Sequence, residues 1–309
     1  MDTSHRILIT GSEGLIGRAM RAALKARGAE VVGLDLLGIG REHGDVRSLS
    51  RVRDALRRCD GVVHLAAVSR VLWGEQDPEG CWSTNVDGLR NVLKTLDERK
   101  RQPWLLFASS REVYGQPRRL PATEDTPLRP VNIYGRSKVE GERLVDDGRR
   151  RGVRAATVRL SNVYGRARDH ADRVIPAFLR AATSGTPLRV DGAQCTFDFT
   201  HIDDTIRGMV AVVDRLANGQ GLPPVHLVTG RPTTLGELAG LAVALAGGRA
   251  SITEAPPRSF DVARFRGSPE RARKLLGWTP RVDLRDGLER LLRDLRTEAD
   301  DLEHREATP

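Results

Sequence analysis

RILITGSEGLIGRAMRAALKARGAEVVGLD, from Arg6 to Asp35, decides the fold. Ile7-Leu8-Ile9 is an apolar run too short for a free helix and suited to a strand buried on both faces of a parallel sheet. Ile16, Met20, Ala23 and Leu24 then recur at helical spacing until Gly28, and Val31 to Leu34 form a second strand that ends in Asp35. The stretch is therefore a βαβ unit of about 30 residues. Gly11 lets the strand turn sharply, Gly14 leaves room for a pyrophosphate against the backbone, and Gly17 lets the helix approach the sheet. The helix that opens at Leu15 and Ile16 presents free N–H groups and a partial positive charge to the anion. Asp35 is placed to accept from both ribose hydroxyls, which favours NAD over its 2′-phosphorylated relative. The alternative, an ordinary glycine-rich turn, does not account for strand, helix and closing acid together.

The chain has 309 residues, enough for one large α/β domain with a smaller one attached. Cys59, Cys81 and Cys195 are widely spaced, which implies a reducing compartment, hence the cytoplasm, and no structural metal. His64 lies in an apolar run and reads as a strand residue rather than a ligand. No apolar run is long enough to span a bilayer. The net charge of +9 raises nucleic acid as a partner, but the charges are mixed in sign along the chain and aromatic residues make up only 4%, so no stacking platform is evident. An anionic small substrate suits the same positive field.

Further strands are expected at 61–67, 104–110 and 155–160, and helices at 50–58, from Asn85 through Leu96, from Asn132 through Val145, at 237–245 and at 287–295. The segment Pro121 to Pro130 reads as a surface loop. The small, apolar Leu65-Ala66-Ala67 is suited to lying flat against a cofactor. Asp45 suits either the adenine amino group or a helix cap. In open sheets of this kind ligands bind beyond the C-terminal ends of strands, which makes Ser109 and Ser110 site candidates. Tyr134 and Lys138, four apart on one helical face, reach a common point. A lysine cation and an oxidised nicotinamide would both lower the tyrosine pKa from about 10, making Tyr134 a general base for a sugar hydroxyl. Lys138 is one of only five lysines in an arginine-rich chain.

In its motifs the chain resembles the extended short-chain dehydrogenase/reductase family, in particular its NAD-dependent nucleotide-sugar epimerases and dehydratases. The resemblance is carried by TGSEGLIG (10–17), Asp35, GDVR (44–47), HLAA (64–67), the helix from Asn85, SSREVYG (109–115), YGRSK (134–138), RLSNVYG (159–165), FTHIDD (199–204) and LGWTP (276–280). It implies a Rossmann-type doubly wound parallel sheet over 1–165, with a return near 196–220. A smaller C-terminal α/β substrate domain over 166–295 and a charged, frayed tail over 296–309 complete the expected division. It also implies tightly held NAD, a nucleotide-sugar substrate and a homodimer built on the helices that start near Asn85 and Tyr134. Catalysis would fall to Ser110, Tyr134 and Lys138. The cofactor would meet Gly11, Gly14, Leu15, Ile16, Gly17, Asp35, Asp45, Val46, Leu65, Ala66, Ala67, Asn85 and Ser109, together with Tyr134 and Lys138. Asn162 would touch the diphosphate, with Val190 and Arg258 near the nucleotide.

Two departures bear on the reaction. Where sugar 4,6-dehydratases carry an Asp-Glu acid/base pair, this chain has Arg111-Glu112, and a permanently charged arginine is a poor acid. The arginine the family often carries before Asp-Phe is here Phe197, which leaves Arg168, Arg189 and Arg258 as possible diphosphate clamps. Arg111 beside the sugar would suit a uronate carboxylate. The expected reaction is C4 epimerisation of UDP-glucose or UDP-glucuronate through a 4-keto sugar. Dehydration or decarboxylation is the enzymatic alternative, and a non-catalytic NAD sensor a distant one.

Overall fold

The computed structural model describes residues 5–99, 103–260 and 262–306, with side chains through 298. β1 (Arg6–Thr10), α1 (Leu15–Ala26) and β2 (Glu30–Leu34) form the opening unit. They are followed by α2 (Leu49–Ala55), β3 (Gly61–His64), α3 (Val71–Gln76), α4 (Pro78–Trp82) and α5 (Gly88–Asp97). Next come β4 (Trp104–Ser110), α6 (Ile133–Arg150), β5 (Ala155–Leu160), β6 (Asn162–Tyr164), α7 (Val174–Ser184), β7 (Leu188–Asp191), β8 (Thr196–His201) and α8 (Ile202–Ala217). The chain closes with β9 (Val225–Leu227), β10 (Pro232–Thr234), α9 (Leu235–Ala246), β11 (Ile252–Ala255), α10 (Glu270–Leu276) and α11 (Leu284–Glu306).

Six parallel strands run in the order β2-β1-β3-β4-β5-β9. Side chains alternate across β1. Ile7 and Ile9 join one core with Met20 and Leu24 of α1 and with Ile206 and Met209 of α8. Leu8 joins the other with Val52 of α2, Leu89 and Val92 of α5 and Val145 of α6. The sheet is thus covered on both faces, as its near-continuous apolar strands require. The direction of winding reverses between β1 and β3, which opens a crevice at their C-terminal ends.

A second core gathers around Phe178, Leu179, Phe197, Phe199, Leu238 and Leu288. It is built on the sheet β10-β8-β6 and the parallel pair β11-β7. After β8 the chain returns to the large sheet. α8 packs on α1, and β9 becomes the sixth strand. α10 and the buried Trp278 belong to that same core, so the larger unit also recruits residues beyond 220.

Several elements differ from their expected form. β3 stops at His64, and 65–70 is loop. The helix expected from Asn85 is approached through α4 and a π turn, Ser83–Asp87, where the backbone widens by one residue per turn. The loop 121–130 is not wholly superficial. Ala122 and Glu124 are buried, and Ala122 exchanges backbone hydrogen bonds with the 266–268 segment. α11 begins at Leu284 and continues past Arg296 to Glu306, so the described part of the expected frayed tail is helical; 307–309 lie outside the described residues.

Candidate active site

The glycine-rich turn has the shape a pyrophosphate needs. Gly11 adopts φ +69°, and a Cβ there would lie 2.7 Å from the Ala66 nitrogen. A Cβ on Gly17 would lie 2.1 Å from the Gly11 carbonyl oxygen. Both positions therefore exclude a side chain by contact with backbone. Gly14 differs: only the Gly11 oxygen, at 3.5 Å, stands near its missing Cβ, so the space in front of it is open. Gly14 is also the N-cap of α1 and offers no side-chain acceptor, which leaves the N-terminal N–H groups that open at Leu15 and Ile16 for an anion. These residues fit a dinucleotide phosphate.

Asp35 lies at the end of β2 and accepts from the Glu13 and Leu37 backbone N–H groups, each at 2.9 Å. Two backbone donors hold the carboxylate against the glycine turn and leave further lone pairs for ribose hydroxyls. Thr10 Oγ1 receives the N–H groups of Leu65 and Ala66, both at 3.2 Å, and pairs with Nδ1 of buried His64 at 2.9 Å. Burial pushes the His64 pKa down to about 3, so His64 is a neutral strand residue. Together these contacts set Leu65 and Ala66 against the turn, with Ala67 next in the loop. Asn85, in the π turn, accepts from Val68 N–H at 2.8 Å and donates to Ser137 Oγ at 2.9 Å. It thereby ties this loop to α6.

Three other expected cofactor residues also make contacts within the chain. Both Asp45 oxygens go to Arg47, through its backbone N–H and guanidinium at 2.8 Å, which holds the Asp45 carboxyl low. The cap of α2 is Ser48 instead. Val46 is buried among α2 and α5 side chains, and the Ser109 hydroxyl donates to Glu142 of α6 rather than facing the cleft.

Ser110 and Tyr134 converge where β4 meets the start of α6. Asn132 caps α6 by accepting from Gly135 N–H at 2.7 Å, and this fixes the turn that carries Tyr134. The Ser110 hydroxyl accepts from the Glu112 backbone N–H at 3.2 Å and is close enough to the Tyr134 phenol to act against the rise of its pKa. Lys138, buried, donates from Nζ to the Ala108 carbonyl at 2.9 Å and lies 5.7 Å from the Tyr134 ring centre. Burial pushes Tyr134 up to about 12, against the opposing effects of Ser110 and Arg173, and pushes Lys138 down to about 8. The expected lowering of the tyrosine pKa is therefore absent in the chain alone, because desolvation outweighs the nearby cations.

Glu112 is buried with both oxygens occupied. Arg111 Nη2 pairs with Oε1 at 2.8 Å, and Asn132 Nδ2 donates to Oε2 at 2.9 Å. The Arg111 guanidinium lies over the Phe197 ring, 4.6 Å from its centre, and 5.8 Å from that of Phe265. Asn162 of β6 pairs in register with Phe199 of β8. The three arginines named as clamps are all exposed at the surface. Arg168 approaches Glu298 at 3.9 Å, Arg189 pairs with Asp191 at 2.8 Å, and Arg258 lies over Phe260. Val190 is buried in the second core.

Three residues were not among the expected site residues. Arg159 and Glu142 form a buried pair, with nitrogen–oxygen distances of 2.9 and 2.6 Å. A charge within the otherwise apolar run AATVRL, and another four residues beyond Lys138, were the available signals. Arg173 donates to Ser69 Oγ at 3.2 Å and lowers the Tyr134 pKa from the far side of the cleft. It closes the irregular segment that leads into α7 and left no sequence signal.

A model of the NAD dependent epimerase/dehydratase family matches residues 7–225. The UDP-glucose 4-epimerase of Streptomyces lividans is 29% identical over 91% of this chain and 93% of its own. UDP-glucuronic acid decarboxylase 2 of Arabidopsis thaliana is 30% identical over 94% of this chain and 68% of its own. The solved structure of MoeE5 in complex with UDP-glucuronic acid and NAD superposes with a TM-score of 0.87 at 27% identity, covering 95% of this chain and 99% of that one. With the glycine turn, Asp35 and the Ser110–Tyr134–Lys138 constellation in place, the chain belongs to the NAD dependent epimerase/dehydratase family and uses NAD.

Proposed function

We propose that this enzyme inverts C4 of a UDP-sugar, UDP-glucose or UDP-glucuronate, through a 4-keto sugar. Gly11 to Gly17 and Asp35 would hold NAD, which would supply the acceptor and donor for the C4 hydride. Tyr134 takes the proton of the 4-hydroxyl, and Ser110 holds that hydroxyl and then the carbonyl. Lys138 stands beneath the phenol as the cation that offsets its developing charge. Gly11 to Gly17, Asp35 and Asp45 as cofactor contacts and Asn162 as a substrate contact belong to the same reading.

The observation that favours epimerisation over elimination is the state of Glu112. Arg111 takes one of its oxygens and Asn132 the other, so the side chain is committed to partners within the chain rather than turned toward a substrate as an acid. Loss of water or CO₂ remains the alternative, since relatives of comparable identity include a decarboxylase. The test is incubation of the NAD-loaded protein with each UDP-sugar, with products read by mass and proton NMR. An isomer of unchanged mass is expected; a product lighter by water or CO₂ overturns the reading.

The assembly we propose is a homodimer. The half-exposed Trp82 and the groove it shares with Pro78 and Ile133 lie where α4 meets the start of α6. Light scattering at micromolar concentration decides this, and a monomer mass refutes it.

A further inference from the structure

We infer that Arg111 selects a carboxylate on the sugar, so that the preferred substrate is a nucleotide-linked uronic acid rather than the neutral hexose. This inference rests on the nucleotide-sugar reading above and narrows it.

Arg111 is a buried cation with an unusual set of partners. Its side chain is only 9% exposed. One arm of the guanidinium, Nη2, pairs with Glu112. The other, Nη1, is buried and has no hydrogen-bond partner. Leaving such a donor unmade costs about 1–3 kcal/mol, and more for a charged group. The packing nevertheless fixes this arrangement. Phe197 and Phe265 support the guanidinium, and Asn132 engages the far oxygen of Glu112. The Glu112 charge is thus shared between two donors and holds the arginine in place without using its second arm.

The location gives this spare donor a use. Arg111 directly follows Ser110, and Ser110 pairs in register with Leu160 at the C-terminal edge of the sheet. Two residues beyond Leu160 stands Asn162, whose register partner Phe199 lies on the same face of β8 as Phe197. Arg111 therefore sits between the Ser110 hydroxyl and the small sheet, the side to which the proposed function assigns the rest of the sugar. An arginine fork offers a carboxylate a charge-assisted hydrogen bond that a hydroxymethyl group cannot match. The position before Asp198, where the sequence has Phe197 in place of a cation, serves instead as the surface on which the cation from residue 111 rests.

The experiment compares UDP-glucuronate with UDP-glucose on the NAD-loaded enzyme, both by kcat/KM for C4 inversion and by equilibrium binding to the Tyr134→Phe protein. We expect the uronate to bind roughly tenfold to a hundredfold more tightly, as one charge-assisted hydrogen bond allows. Arg111→Met should collapse that ratio, and Arg111→Lys, which keeps the charge but not the fork, should restore part of it. Equal binding of the two sugars by the Tyr134→Phe protein overturns the inference, as does a ratio unchanged in Arg111→Met. If Arg111→Met does not fold, the ratio in the parent background and in Arg111→Lys still decides. Uronate-selective binding with no C4 isomer formed by the Tyr134-containing enzyme would instead reject the epimerase reading and leave this inference standing.

Discussion

The Lys138 ammonium is anchored to the Ala108 carbonyl at 2.9 Å and stands 5.7 Å from the centre of the Tyr134 ring. One strand end and one turn of helix thus hold a cation beneath the phenol to which we assign the proton transfer. Replacing Tyr134 by Phe removes only the phenol oxygen. Turnover should fall by about 10²–10⁴-fold, with NAD binding unchanged by calorimetry. Residual activity above a tenth of the parent value would remove Tyr134 from the reaction.

The same burial makes Lys138 a source of pH-dependent stability. Its folded pKa is lowered to about 8, while in the unfolded chain it returns to about 10.4. Between those values the unfolded state binds more protons than the folded one, so stability rises as pH rises through the window. The gain is of the order of 1–3 kcal/mol at most. Urea unfolding midpoints from pH 7.5 to 10 should climb more in the parent protein than in Lys138→Met. Parallel curves would show that the lysine is not desolvated.

Glu142 and Arg159 tie α6 to β5 behind the site, with side chains 7% and 5% exposed. Glu142→Ala would leave a buried arginine without its counter-charge and should destabilise the protein by about 3–5 kcal/mol. The Ser109 and Tyr114 hydroxyls, which share this network, would lose their fixed geometry as well. A loss below about 1 kcal/mol in chemical denaturation would mean that water reaches the pair.

Two glycines of one turn should fail in different ways. Gly17→Ala drives a methyl against the Gly11 carbonyl, with no flexible side chain to yield, and should lower stability by several kcal/mol. Gly14→Ala meets only ordinary contact and leaves φ at −72°. It should fold normally yet weaken NAD about tenfold or more by filling the approach to the phosphates. Thermal melts with and without NAD separate the two outcomes. Equal melting-temperature losses for both variants, or undiminished NAD affinity in Gly14→Ala, would contradict the assignment.

Local chemistry along the chain determined the parallel sheet, the glycine turn and the placement of Ser110, Tyr134 and Lys138. Apolar runs, helical spacing and backbone constraints are properties of neighbouring residues. For the same reason Trp104–Ser110 and Ala155–Leu160 appear as strands at their expected limits. Only the tertiary structure decided what the charged residues do. Ser109 turned to Glu142 and Arg111 to Phe197, because a buried charge or hydroxyl takes whatever partner the packing brings to it from tens of residues away. The rise of the Tyr134 pKa has the same origin. Desolvation depends on everything that encloses the phenol, and no spacing of tyrosine and lysine along the chain encodes it.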